Sequence, residues 1–207
     1  MAKQYAQPGF LQTSDLPLAN AEALASARKA AVLAPLLKKQ DQWHVLYIRR
    51  AEREGDRHSG QVAFPGGKVD PGDISLRHTA LREANEEIGL ESRDVDVIAE
   101  LPTYHTISNF TIYPVVGRIP WPVDLTPEVC EVARIFTIPL DWLHDEANYY
   151  LKTHPLNPRE PGRPHPASSR TAAVHYKPYQ GEILWGATAR MTLGLLKALD
   201  EGEIVLD

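Results

Sequence analysis

Residues 64–90, FPGGKVDPGDISLRHTALREANEEIGL, carry the strongest structural signal in the chain. Two adjacent glycines permit backbone conformations that are closed to other residues. The pattern after them predicts a short helix that ends at a C-cap glycine. On such a helix Glu83, Glu86 and Glu87 fall within an arc of about 100°. The sequence therefore predicts a tight glycine loop followed by a helix with one acidic face.

The acidic face is electrostatically unfavourable by itself. Like charges repel, and the C-terminal end of a helix is the end of its dipole that disfavours anions. Arg82 can pair with Glu86 four residues later, but one guanidinium cannot neutralise three carboxylates. The remaining charge suits a hard divalent cation with oxygen ligands, Mg²⁺ or Mn²⁺. The alternative is a solvated surface helix, which is the usual place for glutamates, and the preceding glycine loop favours the metal site.

This stretch resembles the signature of the Nudix hydrolases, which is G, five residues, E, seven residues, REUxEExGU, where U is apolar. Residues 82–90, REANEEIGL, match the second half in full. The first half differs, because Asp73 follows Gly67 where the signature has glutamate, and fourteen residues instead of thirteen separate Gly67 from Arg82. One residue is therefore inserted. In the family this glutamate mainly holds the arginine, so the difference concerns the role of Asp73.

The resemblance implies the Nudix fold, an α/β/α sandwich with a mixed β-sheet, and it implies roles for residues of the Nudix box, residues 66–90. The implied catalytic residues are Arg82, Glu83, Glu86 and Glu87. The implied metal ligands are Glu83, Glu86, Glu87 and the backbone carbonyl of Gly66. The chemistry is hydrolysis of a phosphoanhydride, in which a metal offsets the charge on the phosphoryl oxygens and an activated water attacks phosphorus.

The group that accepts the proton of the attacking water stays open. Glu83 and Glu86 are candidates within the helix. Glu131 is a third candidate, since residues 127–132, PEVCEV, resemble a family segment that brings an extra base or metal ligand. The alternative for Glu131 is a position on the exposed edge of a strand.

A second motif precedes the box. Residues 46–51, LYIRRA, and 57–67, RHSGQVAFPGG, resemble the leader of the coenzyme A pyrophosphatase branch of the Nudix family. That resemblance implies hydrolysis of coenzyme A or its thioesters to 3',5'-ADP and 4'-phosphopantetheine. The branch has an arginine where this chain has Asp56, and the loop is one residue longer. The residues expected to bind substrate are Arg50, Arg53, Arg57 and Gly67.

Two alternative functions remain at the level of sequence. The substrate can be another nucleoside diphosphate derivative, such as ADP-ribose, NADH or a dinucleotide. The chain can also be a noncatalytic nucleotide-binding module, although such a module has no chemical need for Glu83, Glu86 and Glu87 together.

Composition sets the remaining expectations. A chain of 207 residues with 43% hydrophobic content can bury a proper core, and we expect an N-terminal extension at residues 1–28 and a hydrolase domain at 29–207. A net charge of −5 argues against nucleic-acid and anionic membrane partners. The single cysteine, Cys130, is consistent with a reducing compartment, so we expect a cytoplasmic protein. We expect a monomer or a homodimer that binds a small nucleotide.

Hydrophobic patterning predicts the other elements of the fold. We expect a charged loop from residue 49 to 59 and a short helix at 20–29. The strands are expected at residues 31–37, 43–48, 95–101, 110–119, 132–140 and 171–179, and further helices at 140–144 and 187–199.

Overall fold

The structure, a computed structural model, describes residues 27–55, 58–106, 108–155 and 170–206. Arg57, nearly all of the expected N-terminal extension and most of the expected helix at 20–29 therefore lie outside the described residues. No helix in the described part of the chain is both long and apolar enough to span a membrane.

The described residues form ten strands and three α-helices. The strands are β1 (Arg28–Lys39), β2 (Gln42–Arg50), β3 (Val62–Ala63), β4 (Gly66–Lys68), β5 (Asp96–Glu100), β6 (Tyr104–His105), β7 (Phe110–Arg118), β8 (Val132–Pro139), β9 (Tyr149–Pro155) and β10 (Arg170–Tyr176). The helices are α1 (Leu76–Ile88), α2 (Leu140–His144) and α3 (Gly186–Asp200).

Strand β1 is the centre of an eight-stranded sheet. It runs parallel to β7 and antiparallel to both β2 and β4, so the sheet is mixed, as predicted. Its first half pairs with β4 through residues 30–32, and its last residues, 36–39, pair with β2. The end of β2 and the glycines of β4 thus lie on the same side of β1.

The alternation of side chains along β1 builds a core on each face of the sheet. Ala31 and Leu33 pack into a cluster with residues of α1, and Ala34 and Leu36 pack into a second cluster with residues of α3. In the cluster with Ala31 and Leu33, α1 contributes the buried residues Ala80, Ala84 and Ile88. One helix on each face gives the expected α/β/α sandwich.

The structure differs from the predicted elements in several places, among them three short strands, β3, β4 and β6, that were not predicted. Arg49 and Arg50 belong to β2 and not to the charged loop, because β2 continues along β8 and β3 to these residues. Strand β9 was not predicted from the sequence, and it pairs with β10 in a separate two-stranded sheet. Fourteen residues lie between β9 and β10, so no short hairpin turn in the sequence marks the pair.

A buried hydroxyl pair joins β2 to α3. The Thr192 hydroxyl donates to the carbonyl of Thr188 at 2.9 Å and lies 2.9 Å from the Tyr47 hydroxyl. Since a hydroxyl has one hydrogen, Tyr47 donates to Thr192. Burial also raises the pKa of Tyr47, so this group remains a neutral donor.

We predict that Thr192→Val destabilises the protein more than Tyr47→Phe does. The first change leaves the Tyr47 hydroxyl buried without its acceptor, at a cost of about 1–3 kcal/mol, whereas the second removes only the donor and costs about 1 kcal/mol. Adding Tyr47→Phe to Thr192→Val should then recover part of the loss. Urea unfolding of the four proteins measures these differences. Equal losses in both single variants would contradict the assigned donor.

Candidate active site

Glu87 lies at the end of α1 and joins that helix to the glycine loop. Its side chain is only 2% exposed, and its Oε2 accepts a hydrogen bond from the backbone N–H of Gly66 at 2.9 Å. The Arg50 guanidinium lies 3.7 Å from its Oε1. Burial raises the pKa of Glu87 to about 7, and the charges of Glu83 and Glu131 add to this shift. The two neighbouring donors thus only partly offset the cost of burying the carboxylate.

Glu83 lies one helical turn before Glu87 and faces the second glycine. A Cβ atom on Gly67 would lie within 2.4 Å of the Glu83 carboxylate, so only glycine leaves room for this approach. Burial raises the pKa of Glu83, and Arg82 opposes that shift. Gly66 has a φ of 151°, and a Cβ there would meet the backbone of β1 at 2.5 Å. Both glycines are therefore required by the close contact of β4 with β1 and α1.

Arg82 binds two of the glutamates and Asp73. Its Nη1 donates to Glu86 Oε2 at 2.8 Å, which confirms the predicted pair, and its Nη2 donates to Glu83 Oε1 at 3.1 Å. Its Nε and Nη2 donate to the two oxygens of Asp73 at 2.9 and 3.0 Å. The Arg82 guanidinium lowers the pKa of Asp73, so this carboxylate stays ionised. Arg82 is therefore fixed by Asp73 on one side and restrains Glu83 and Glu86 on the other.

A second ion pair joins the loop after β2 to the loop before β8. Arg53 Nη2 lies 3.6 Å from Glu131 Oε1, and both side chains are partly exposed. The backbone N–H of Ala51 donates to the carbonyl of Glu131 at 2.7 Å, and the N–H of Glu128 donates to the carbonyl of Glu87 at 2.9 Å. Backbone hydrogen bonds thus hold the loop that carries Glu131 against both β2 and α1.

The donor set of this region fits a hard divalent cation. Glu83 and Glu87 present carboxylate oxygens beside the glycine loop, and the raised pKa of each shows that the protein alone does not compensate their charge. Within the described ranges no three acidic, histidine or cysteine side chains gather closely enough to hold a metal by themselves. Mg²⁺ commonly binds through one or two carboxylates and keeps several waters, so two carboxylates are sufficient for it.

The structure brings together most of the predicted site residues. Those that lie around the glycine loop and α1 are Arg50, Gly66, Gly67, Arg82, Glu83, Glu86 and Glu87. Glu86 is 57% exposed and directed towards Arg82. Arg53 and Glu131 pair with each other at the edge of this group.

Sequence reasoning missed two features of the site. It treated the acidic face of the helix as one surface, whereas Glu87 is buried and Glu86 is exposed. It also did not indicate that the guanidinium of Arg50, predicted to bind substrate, lies against Glu87. The alternation of side chains along β2 could have predicted the position of Arg50. Arg50 shares a face with Leu46 and Ile48, which pack with α1.

Comparisons with known proteins agree with this arrangement. The NUDIX domain family model matches residues 27–155, more than half of the chain. A protein of Enterobacter sp. (strain 638) named uncharacterized Nudix hydrolase NudL is 38% identical over 172 residues, which cover 83% of this chain and 81% of that protein. A protein of the same name from Pectobacterium atrosepticum is 37% identical over 162 residues, which cover 78% of each chain.

Solved structures that align with this chain are more distant in sequence. An Ap4A hydrolase of C. elegans in a binary complex aligns with a TM-score of 0.46 and 19% identity, covering 55% of this chain and 81% of that chain. The NUDIX domain of Shewanella oneidensis NrtR, complexed with ADP ribose, aligns with a TM-score of 0.44 and 18% identity, covering 60% and 85%.

We predict that Gly67→Ala lowers the rate of hydrolysis by about tenfold or more while the protein remains folded. The new methyl group would occupy the space of the Glu83 carboxylate and displace it. Gly72→Ala is the matched control, since a Cβ on Gly72 meets nothing within 4 Å. Steady-state kinetics and thermal unfolding of both variants test this. A Gly67→Ala protein as active as the Gly72→Ala protein would show that the position of Glu83 is unimportant.

Proposed function

The chain belongs to the Nudix hydrolase family, and on that premise we propose that this pyrophosphohydrolase cleaves the pyrophosphate of coenzyme A or a coenzyme A thioester. The products are 3',5'-ADP and 4'-phosphopantetheine.

One observation carries the substrate assignment: the leader motif touches a carboxylate of the Nudix box. Arg50 lies against Glu87. Arg53, between the two parts of the leader, lies against Glu131, which is outside the box. The two parts of the motif are also hydrogen-bonded to each other, because the backbone N–H of Arg50 donates to the carbonyl of Gln61 at 3.0 Å. A sequence motif that resembles one substrate branch therefore forms a wall of the site where a pyrophosphate would be cleaved.

We propose that Glu83 and Glu87 hold the metal, together with the carbonyl of Gly66, and that Glu86 contributes through water. Nudix hydrolases in general require divalent metal ions such as Mg²⁺ or Mn²⁺. When bound, the cation supplies positive charge that offsets the negative charge of the phosphoryl oxygens. The uncompensated negative charge at the buried Glu87 and the partly buried Glu83 supports this assignment.

The protein's own residues would perform the other tasks of the reaction. Water attacks one phosphorus of the pyrophosphate, a new P–O bond forms, and the bond between that phosphorus and the bridging oxygen breaks. The proton of the water passes to Glu83, Glu86 or Glu131, and the bridging oxygen leaves with the other phosphate. Arg82 keeps Glu83 and Glu86 in place. Arg53, whose side chain is partly exposed, is proposed to bind a phosphate of the substrate.

We also propose that the hydrolase domain spans residues 29–207, with residues 1–28 as an extension. Strand β1 begins at Arg28, which is close to this boundary. Helix α3 contributes Leu195 and Leu196 to the cluster that contains Tyr47 of β2. Because α3 helps to cover the sheet, it supports placing the end of the domain after residue 155.

We predict metal-dependent release of 3',5'-ADP and 4'-phosphopantetheine from coenzyme A. The test uses purified protein with Mg²⁺ or Mn²⁺ and a panel of coenzyme A, acetyl-coenzyme A, ADP-ribose, NADH and dinucleoside polyphosphates, with products identified by mass spectrometry. Faster cleavage of the coenzyme A compounds is the expected result. Preferred cleavage of ADP-ribose or NADH would overturn the substrate assignment and keep the pyrophosphohydrolase.

We predict that Glu83→Gln and Glu87→Gln each lower kcat by about two to three orders of magnitude, the range seen when one electrostatic stabiliser is removed. Each change keeps the shape of the side chain but removes a charge that the metal needs. Glu91→Gln is the control, because Glu91 is an exposed glutamate just beyond the end of α1. Kinetics on the best substrate of the panel give the result. A variant with an unchanged kcat would remove its glutamate from the proposed metal site.

We predict that Mn²⁺ binds about tenfold more tightly at pH 8 than at pH 6. The pKa of Glu87 is about 7 in the absence of metal, so a proton occupies this ligand at pH 6 and competes with the cation. Above the pKa this competition ends. Isothermal titration calorimetry without substrate measures the affinity at both pH values. Glu87→Gln should bind Mn²⁺ more weakly and with little pH dependence. A wild-type affinity that decreases as the pH rises from 6 to 8 would refute the assignment.

A further inference from the structure

The acidic residue that binds Arg82 is displaced by one position along the chain. In the Nudix signature the glutamate precedes the arginine by eight residues, which corresponds to position 74 here. That position holds Ile74, whose side chain is 88% exposed. Asp73, one residue earlier, has a side chain that is 1% exposed and bound to Arg82. The inserted residue of the box thus corresponds to Ile74, which is turned to solvent.

The Asp73 carboxylate is saturated with hydrogen bonds. Besides the two bonds from Arg82, it accepts from the Thr79 hydroxyl at 2.8 Å and from the backbone N–H of Asp70 at 2.9 Å. Its Oδ1 also lies 2.9 Å from His78 Nδ1. An ionised carboxylate has about four lone-pair sites. The donors therefore enclose the carboxylate at one fixed place.

The backbone at Asp73 is fixed from both sides. Its N–H donates to the carbonyl of Asp70 at 3.0 Å, which closes a turn before it. Ser75 follows as the N-cap of α1 and accepts from the N–H of His78. With Ile74 in place, these contacts hold the backbone at position 73 where the aspartate fits. A glutamate at position 73 would carry its carboxylate about 1.5 Å further and out of its set of donors.

We propose that Asp73 and Ile74 form a compensating pair: the extra residue moves the acidic position one step back along the chain, and the shorter aspartate side chain then places its carboxylate on Arg82. Asp73 is a positioning residue, because it acts through Arg82 on Glu83 and Glu86. This inference rests on pyrophosphohydrolase activity and is independent of the coenzyme A assignment.

The test is a cycle of three variants: Asp73→Glu, deletion of Ile74, and both changes together. The combined variant restores the spacing G, five residues, E, seven residues, R. We expect each single change to lower kcat by about tenfold or more, the range typical of groups that orient a catalytic ligand. The combined variant should return to within about threefold of the parent. Activity is measured on whichever compound of the panel the parent cleaves best.

Two controls separate positioning from a general effect on the fold. Ile74→Ser keeps the loop length and should leave kcat and the melting temperature unchanged, since the Ile74 side chain is exposed. Asp73→Asn keeps the side-chain length, removes the charge that holds Arg82, and should lower kcat more than it changes KM. The melting temperature of every variant is measured by thermal unfolding.

The results separate this proposal from the assignment of the substrate. An Asp73→Glu protein with the kcat of the parent would overturn the compensation. So would a combined variant whose fold-loss in kcat equals the product of the fold-losses in the two single variants. Loss of folding in the combined variant would also overturn it, because the restored spacing should fit the site. A parent that cleaves ADP-ribose in place of coenzyme A would refute the substrate assignment only.

Discussion

The hydrogen bond from the Gly66 N–H to the buried Glu87 carboxylate is the contact on which the rest of the site depends. It joins the end of α1 to the first residue of β4, and β4 in turn pairs with the central strand β1. The carboxylate is thereby fixed relative to the sheet and not only to its own helix. A buried acid is costly, and the pKa of about 7 reports that cost. The fold maintains this cost at the position that we propose for the cation.

Charge in this region is arranged around two arginines with different tasks. Arg82 is held by Asp73 and pairs with Glu83 and Glu86, so it orders the exposed side of the acidic face. Arg50 comes from the sheet and lies against Glu87, on the buried side. Neither neutralises the pair formed by Glu83 and Glu87, since the pKa of each is raised despite the arginines. The resulting excess of negative charge is what supports the proposed metal site.

Much of the fold followed from local patterns. The helix with its C-cap glycine and most of the strands agree with prediction, because burial repeats every two residues in strands and every three to four in helices. The sandwich with a mixed sheet agrees with what the family resemblance implied. Strand β9 was missed, since fourteen residues separate it from β10 and no short turn signal joins them. The sequence also identified Arg82 and the three glutamates as one group, because residues three and four apart on a helix are neighbours.

The sequence by itself determined the family, the identity of the acidic residues and the need for glycine before the helix. Only the tertiary structure decided that Glu87 is buried and Glu86 exposed, that Arg50 faces a carboxylate, and that Asp73 and not position 74 binds Arg82. The physical reason is that these outcomes depend on distances between separate segments of the chain. Helical periodicity fixes the angle between side chains on one helix, but the packing of α1 against β1 and β4 decides which of them loses its contact with water.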